Sequence, residues 1–134
     1  MTTELRRGEK FMKIHLKGYL KDITNDEILE IDTFAIKKDN QITYYLDKEK
    51  YIINIVNPTK LILNRITSEI ETTLYFEDGK TKNADYLLKE NNLSLKIAIR
   101  TNKILLSNQY IKINYTVIDS NNNYDYYIEM SEQI

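Results

Sequence analysis

Arg65 closes the apolar run "LILNRI", residues 61–66, and is the residue of this chain best equipped to recognise an anion. Its guanidinium is a planar fork of donors that matches a carboxylate or a phosphate. In an extended segment Leu61, Leu63 and Arg65 share one face, while Ile62, Asn64 and Ile66 share the other. Both faces are partly apolar. If the leucine face points inward, Arg65 lies near one end of the core and must be paired, because an unpaired buried charge costs several kcal/mol. Glu30 and Asp32 are the candidate structural partners, in a segment otherwise lined by Ile28, Phe34 and Ile36. A ligand carboxylate or phosphate would serve equally, and a strand already leaving the core would expose the arginine. Structural pairing is the leading reading, and the spacing leaves all three open.

Eleven tyrosines are the second chemical resource. Each offers a large apolar ring and a hydroxyl that reaches for a partner. A small cavity lined by Tyr45, Tyr115 and aliphatic chains would hold a planar or fatty molecule, and Thr101 joins Arg65, Tyr45 and Tyr115 as a candidate ligand contact. The same tyrosines suit a packed core or a half-exposed sheet, where the residue is favoured as a strand former. That plainer reading leads. Tyr124, Tyr126 and Tyr127, crowded into "YDYY", form a candidate interaction patch at an edge.

Catalytic machinery is sparse. His15 is the one histidine and lies on a charged face, and there is no cysteine. A zinc site of the usual ligand set is therefore not expected, nor is a cysteine nucleophile. No nucleophile elbow accompanies His15. Glu69 and Glu71 share a face opposite Ile70, Leu74 and Phe76 and read as solvated. "EDGKTKN" lacks the glycine density and following helix of a phosphate loop. No catalytic residue, metal or cofactor is expected.

The elements that must position these residues are strands. From Met12, the residues Met12, Ile14, Leu16, Gly18 and Leu20 alternate with Lys13, His15, Lys17, Tyr19 and Lys21. That period of two marks a strand with one face in a core. Further strands are predicted over 28–37, 42–46, 51–56, 60–66, 70–77, 82–88, 93–101, 111–117 and 124–130. Turns fall at "TNDE", Asp39-Asn40, "DKEK", "NPT", "TS", Asp78-Gly79, "KENN" and "DSNNN". Residues 84–91 admit a short helix, and 104–108 an irregular corner. Predicted inward positions include Leu16, Phe34, Leu74, Phe76, Leu95, Ile97, Ile113 and Tyr115.

Nine or ten short strands without a long helix predict an all-β domain, and closure into a barrel would remove two exposed edges. Lys13, Lys17 and Lys21 on the first strand face Asp125 and Glu129 on the last if the ends meet. Such pairs bias register by about 0.2–1 kcal/mol each. Residues 1–11 are expected to be a flexible leader or tail, and 12–134 a single barrel domain. With 134 residues, 42% of them hydrophobic and 29% charged, one core is the natural size.

The 19 basic and 20 acidic residues balance almost fully, which disfavours nucleic acid, the more so because two of the four arginines fall in the leader. No run approaches the roughly 20 apolar residues that span a bilayer as a helix, so no membrane partner is expected. No secretory segment opens the chain, so a cytoplasmic setting is expected.

Three runs carry a resemblance. "LILNRITSEIETTLYFEDGKT", "ADYLLKENNLSLKIAIRT" and "IKINYTVID" resemble, in order and character, strands of the YwiB-like family of small bacterial proteins. With the weaker opening strand and "ITYYL", the resemblance covers most of residues 12–130. It implies a calycin-like, lipocalin-like β-barrel and no particular reaction. The chain departs from the family pattern at Thr67 and near Asn92, where the family has glycines. Its "DKEK" also shortens a longer acidic stretch, so the barrel mouth should differ.

The expected function is non-enzymatic binding of a small hydrophobic or amphipathic ligand, in a monomer or homodimer. The alternative is a filled barrel acting as a protein-protein interaction scaffold, and single-stranded nucleic-acid binding is a weaker third.

Overall fold

The computed structural model describes residues 11–132. Ten strands follow one another in chain order: β1 (Phe11–Asp22), β2 (Glu27–Lys38), β3 (Gln41–Leu46), β4 (Glu49–Asn57) and β5 (Lys60–Ile66), then β6 (Ile70–Glu77), β7 (Thr81–Leu88), β8 (Leu93–Leu106), β9 (Tyr110–Val117) and β10 (Asn122–Glu132). Each pairs antiparallel with its neighbours in sequence, and β1 pairs with β10, so the sheet is a closed barrel. The all-β closed barrel expected from period-two patterning is present. Residues 84–91 form no helix: β7 runs straight through Ala84–Leu88. The expected leader, residues 1–11, lies outside the described residues except for Phe11, which opens β1 opposite Lys38.

Two kinds of turn make this meander. In six hairpins a residue adopts positive φ: Asp26, Asp39, Asp47, Gly79, Asn92 and Asn121. Glycine does so at little cost, and Asp and Asn tolerate the left-handed region better than other side chains. The other three hairpins use a side-chain oxygen as acceptor instead. Asn57 Oδ1 takes the Thr59 N–H at 2.9 Å, Thr67 Oγ1 that of Ile70 at 2.9 Å, and Ser107 Oγ that of Tyr110 at 3.1 Å.

Closure follows the charge pattern of the end strands. Lys17 lies opposite Glu129 and Lys21 opposite Asp125. Neither pair comes within ion-pair distance, so the two contribute a bias in field and no fixed bond. Gly18 faces Ile128 in the same ladder, where an added side chain would run into the β10 backbone.

A bulge at Thr101/Lys103 flips the parity of β8. Ile99 and Thr101 point inward before it, Ile104 after it. The expected corner at 104–108 is therefore a continuation of β8 as far as Leu106, bent and re-aimed by one extra residue. Asn102, left out of the ladder, fixes the bulge through its Nδ2, which donates to Asn114 Oδ1 at 2.8 Å and Thr116 Oγ1 at 2.9 Å.

The interior is only partly filled. Leu16, Ile42, Ile53, Leu61, Ile111, Ile113 and Ile128 are completely buried and line neither the cavity at one barrel end, walled by Leu63, Leu74 and Tyr115, nor that at the other, walled by Ile14, Ile55 and Leu106. They form a plug across the middle. Two of the expected inward residues are exposed, for different reasons. Phe34 is 53% exposed because β2 faces inward with Ile31 and Ala35, small enough at Ala35 to sit between Ile14 and Tyr44. Leu95 does have inward parity, opposite Tyr86, but stands at the open end and is 44% exposed.

Candidate functional site

One barrel end is ringed by the turns β1–β2, β3–β4, β5–β6, β7–β8 and β9–β10. Within it lies a cavity of about 570 Å³. Its apolar wall comes from Leu20, Leu46, Leu63, Leu74, Phe76 and Val117, all at inward parity on their strands. Aromatic rings complete it: Tyr51, Tyr86, Tyr115, Tyr124 and Tyr126. Alternation along β9 and β10 brings Tyr115 and Tyr124 opposite each other, where their rings stack at 5.2 Å. Phe76 packs against Tyr115 at 5.0 Å. Deeper in, Tyr44 stacks on Tyr51 at 4.8 Å, and its hydroxyl meets that of Tyr126 at 2.6 Å.

The charged group at the rim is built on β4 and β5. Tyr51 lies directly opposite Arg65, and Glu49 shares the Tyr51 face two residues earlier. Arg65 donates through Nε to Glu49 Oε1 at 3.0 Å and through Nη2 to Oε2 at 2.9 Å, a bidentate pair. The Tyr51 hydroxyl donates to the same Oε1 at 2.8 Å. Arg65 holds the Glu49 carboxyl below its usual range, with the Tyr51 bond helping and partial burial opposing; Glu49 in turn raises the guanidinium. Both partners shift in the direction a real pair requires.

A pH dependence follows. A carboxylate depressed in the folded state contributes stability that is fully present above its unfolded pKa and is lost as pH falls through the folded value. The side chains are 43% and 35% exposed, so the pair is worth about 1 kcal/mol or less. Glu49→Gln should melt slightly below wild type at neutral pH, and the gap should close in acid. A gap that stays constant from neutral to acid pH would show that the pair contributes nothing.

The site residues anticipated from sequence divide sharply. Arg65 and Tyr115 line the cavity together. Tyr45 does not: it is 54% exposed on the outer face, because Tyr44, its neighbour, takes the inward position in β3. Thr101 is fully buried at the bulge, where its Oγ1 accepts the Glu77 N–H at 3.3 Å, and it does not line this cavity. Glu30 and Asp32 are not partners of Arg65. Both lie on the outward face of β2, and Asp32 bonds His15 Nε2 at 2.5 Å. The tyrosine patch is divided by strand alternation. Tyr124 and Tyr126 line the cavity, and only Tyr127 faces out, between Tyr19 and Tyr110.

Glu49 is the residue sequence reasoning missed, and Tyr44, Tyr51 and Tyr86 belonged to the tyrosines it considered without being singled out. Glu49 fell within the "DKEK" turn. The alternation Ile42, Tyr44, Leu46 held the signal for Tyr44. Among the described residues no group of three or more histidines and carboxylates is placed to hold a metal, and no helix is long and apolar enough to cross a membrane.

The barrel is similar to the crystal structure of the ywiB protein from Bacillus subtilis, with a TM-score of 0.67 and 20% sequence identity over 96% of this chain and 95% of that one. The likeness runs end to end and falls on the family suggested by the three strand runs. At this identity it carries the fold. No protein-family model matches the sequence, and no curated protein matches it either.

Proposed function

We propose that this protein is a non-enzymatic binder of a small hydrophobic or amphipathic molecule, held in the tyrosine-lined end of the barrel. The carrying observation is the cavity itself. Its volume falls within the range of small-molecule sites, and it joins an apolar wall to a few convergent polar groups. A barrel of this girth can hold one modest ligand above a packed layer. The position of His15, on the outer wall and away from the cavity, supports a role without catalysis.

Leu74 offers a direct test. It lines the cavity and pairs across the ladder with Leu63. An indole at this position would occupy the void without disturbing the plug. Native mass spectrometry of protein purified gently from its host should reveal a retained molecule of defined mass. Leu74→Trp should lose it while melting within a few degrees of wild type. Wild-type protein that is empty and carries a co-purifying protein would favour the second reading instead.

That second reading, an interaction scaffold, has one observation in its favour. Phe11, Phe34, Ile36 and Tyr45 form an exposed apolar area on the outer face of β1, β2 and β3, with Lys13 Nζ 4.8 Å above the Phe34 ring.

A further inference from the structure

We infer that the cavity selects an uncharged molecule carrying a hydrogen-bond acceptor, such as a ketone or ether oxygen on an apolar body, and rejects carboxylates. This rests on the binding role proposed above and narrows it.

The charge balance comes first. The ionisable side chains lining the cavity, tyrosines aside, are Arg65, Glu49 and Asp47. Arg65 looks like an anion receptor, yet the Nε/Nη2 edge of its guanidinium is taken by Glu49, whose carboxylate balances its charge. An incoming carboxylate would meet a guanidinium already neutralised, next to two like charges. A carboxylate that gives up its water here gains no net opposite charge in return, and burial of an uncompensated charge is costly.

The donors come second. The hydroxyls of Tyr86, Tyr115 and Tyr124 make no hydrogen bond among the described residues, although all three rings line the cavity. No buried side-chain polar atom among those residues lacks a partner, so these unbonded hydroxyls keep solvent-accessible surface. Within the Tyr44–Tyr126 pair one hydroxyl donates and the other accepts, and the accepting one keeps its own proton unspent. Tyr126 lines the cavity and is 4% exposed. Burial raises the Tyr115 hydroxyl, with Tyr124 and Tyr86 adding to the effect, so it remains a protonated donor at neutral pH. A phenol donates more strongly than it accepts, since its lone pair is drawn into the ring. Several unbonded phenols lining one cavity therefore ask for acceptor oxygens, and the arginine neutralised by Glu49 asks that these carry no charge.

A displacement titration tests this on the full chain. N-phenylnaphthylamine, a neutral dye that brightens in apolar sites, is bound first. It is then displaced by naphthyl methyl ketone, naphthoate and ethylnaphthalene, all substituted at the same ring carbon. The ketone should displace at roughly tenfold lower concentration than either of the others, the scale of one or two hydrogen bonds. Glu49→Gln, which frees the Arg65 fork, should improve naphthoate relative to the ketone by about fivefold or more. Naphthoate equal to the ketone in wild type, or unimproved in the variant, overturns the exclusion of carboxylates and leaves the binding role standing. Ethylnaphthalene equal to the ketone overturns the role of the hydroxyls. If neither the dye nor any of the three enters, the binding role falls and this inference falls with it.

Discussion

Gly18→Ala is expected to cost more than about 3 kcal/mol, or to prevent the barrel from closing at all. A methyl at this position would stand 1.8 Å from the Tyr127 carbonyl oxygen, 2.7 Å from its carbon and 2.8 Å from the Ile128 Cα. All three are backbone atoms, so no side chain can rotate aside. They belong to β10, and the β1–β10 ladder is the one that turns a ten-strand meander into a closed wall. The usual expectation points the other way, because glycine in a strand interior is less favourable than alanine by about 0.5–1 kcal/mol. The sign of the effect is therefore diagnostic. Gly79→Ala is the natural comparison: its added Cβ would meet nothing within 4 Å, but φ is +74°. It should cost only the left-handed penalty of about 1–2 kcal/mol. Chemical denaturation of the two variants ranks them directly. If Gly18→Ala is as stable as wild type, the end strands do not approach as closely as described.

Much of this architecture was legible because period two and turn chemistry are local signals. Asp78-Gly79 announced its hairpin, and the alternation from Met12 to Leu20 placed Leu16 inside and His15 outside, as they stand. The failures on β2 share one cause. Strands apolar on both faces carry no phase in their own sequence, and β2 is such a strand. Ile28, Phe34 and Ile36 outweigh Ile31 and Ala35 in hydrophobicity, yet the pairing Ile14↔Ala35 and Ala35↔Tyr44 fixes the smaller residues inward. Glu30 and Asp32 were carried outward with that phase, and Arg65 took its partner from the other side.

Glu49 could not be identified locally. It becomes Arg65's partner only once Tyr51 pairs with Arg65 across the ladder, a register that depends on the turn at Asn57-Pro58-Thr59. The mouth carries the same lesson. Tyr86 on β7 and Tyr115 on β9 line one cavity although the whole of β8 separates them in sequence.

The half-filled interior makes a second large prediction, in which the smaller deletion costs the more. Leu61 and Phe76 are cross-strand partners, and both are essentially inaccessible to solvent. Deleting a phenyl ring ordinarily costs about 3–5 kcal/mol and deleting a leucine side chain about 2–5 kcal/mol. Here their surroundings differ. Leu61 belongs to the plug and is enclosed by side chains, so Leu61→Ala leaves a new void and should fall near about 4 kcal/mol. Phe76 packs on Tyr115 on one side and lines the cavity on the other. Its cavity side has fewer partner atoms to lose, and its removal enlarges a space that already exists. Phe76→Ala should therefore fall at the low end, about 3 kcal/mol, and should strengthen binding of a bulky neutral dye. Equilibrium unfolding in denaturant gives both numbers on one scale. A loss at Phe76 well above that at Leu61 would mean the ring is packed on all sides. The tyrosines above it would then be core, with no space left for a ligand.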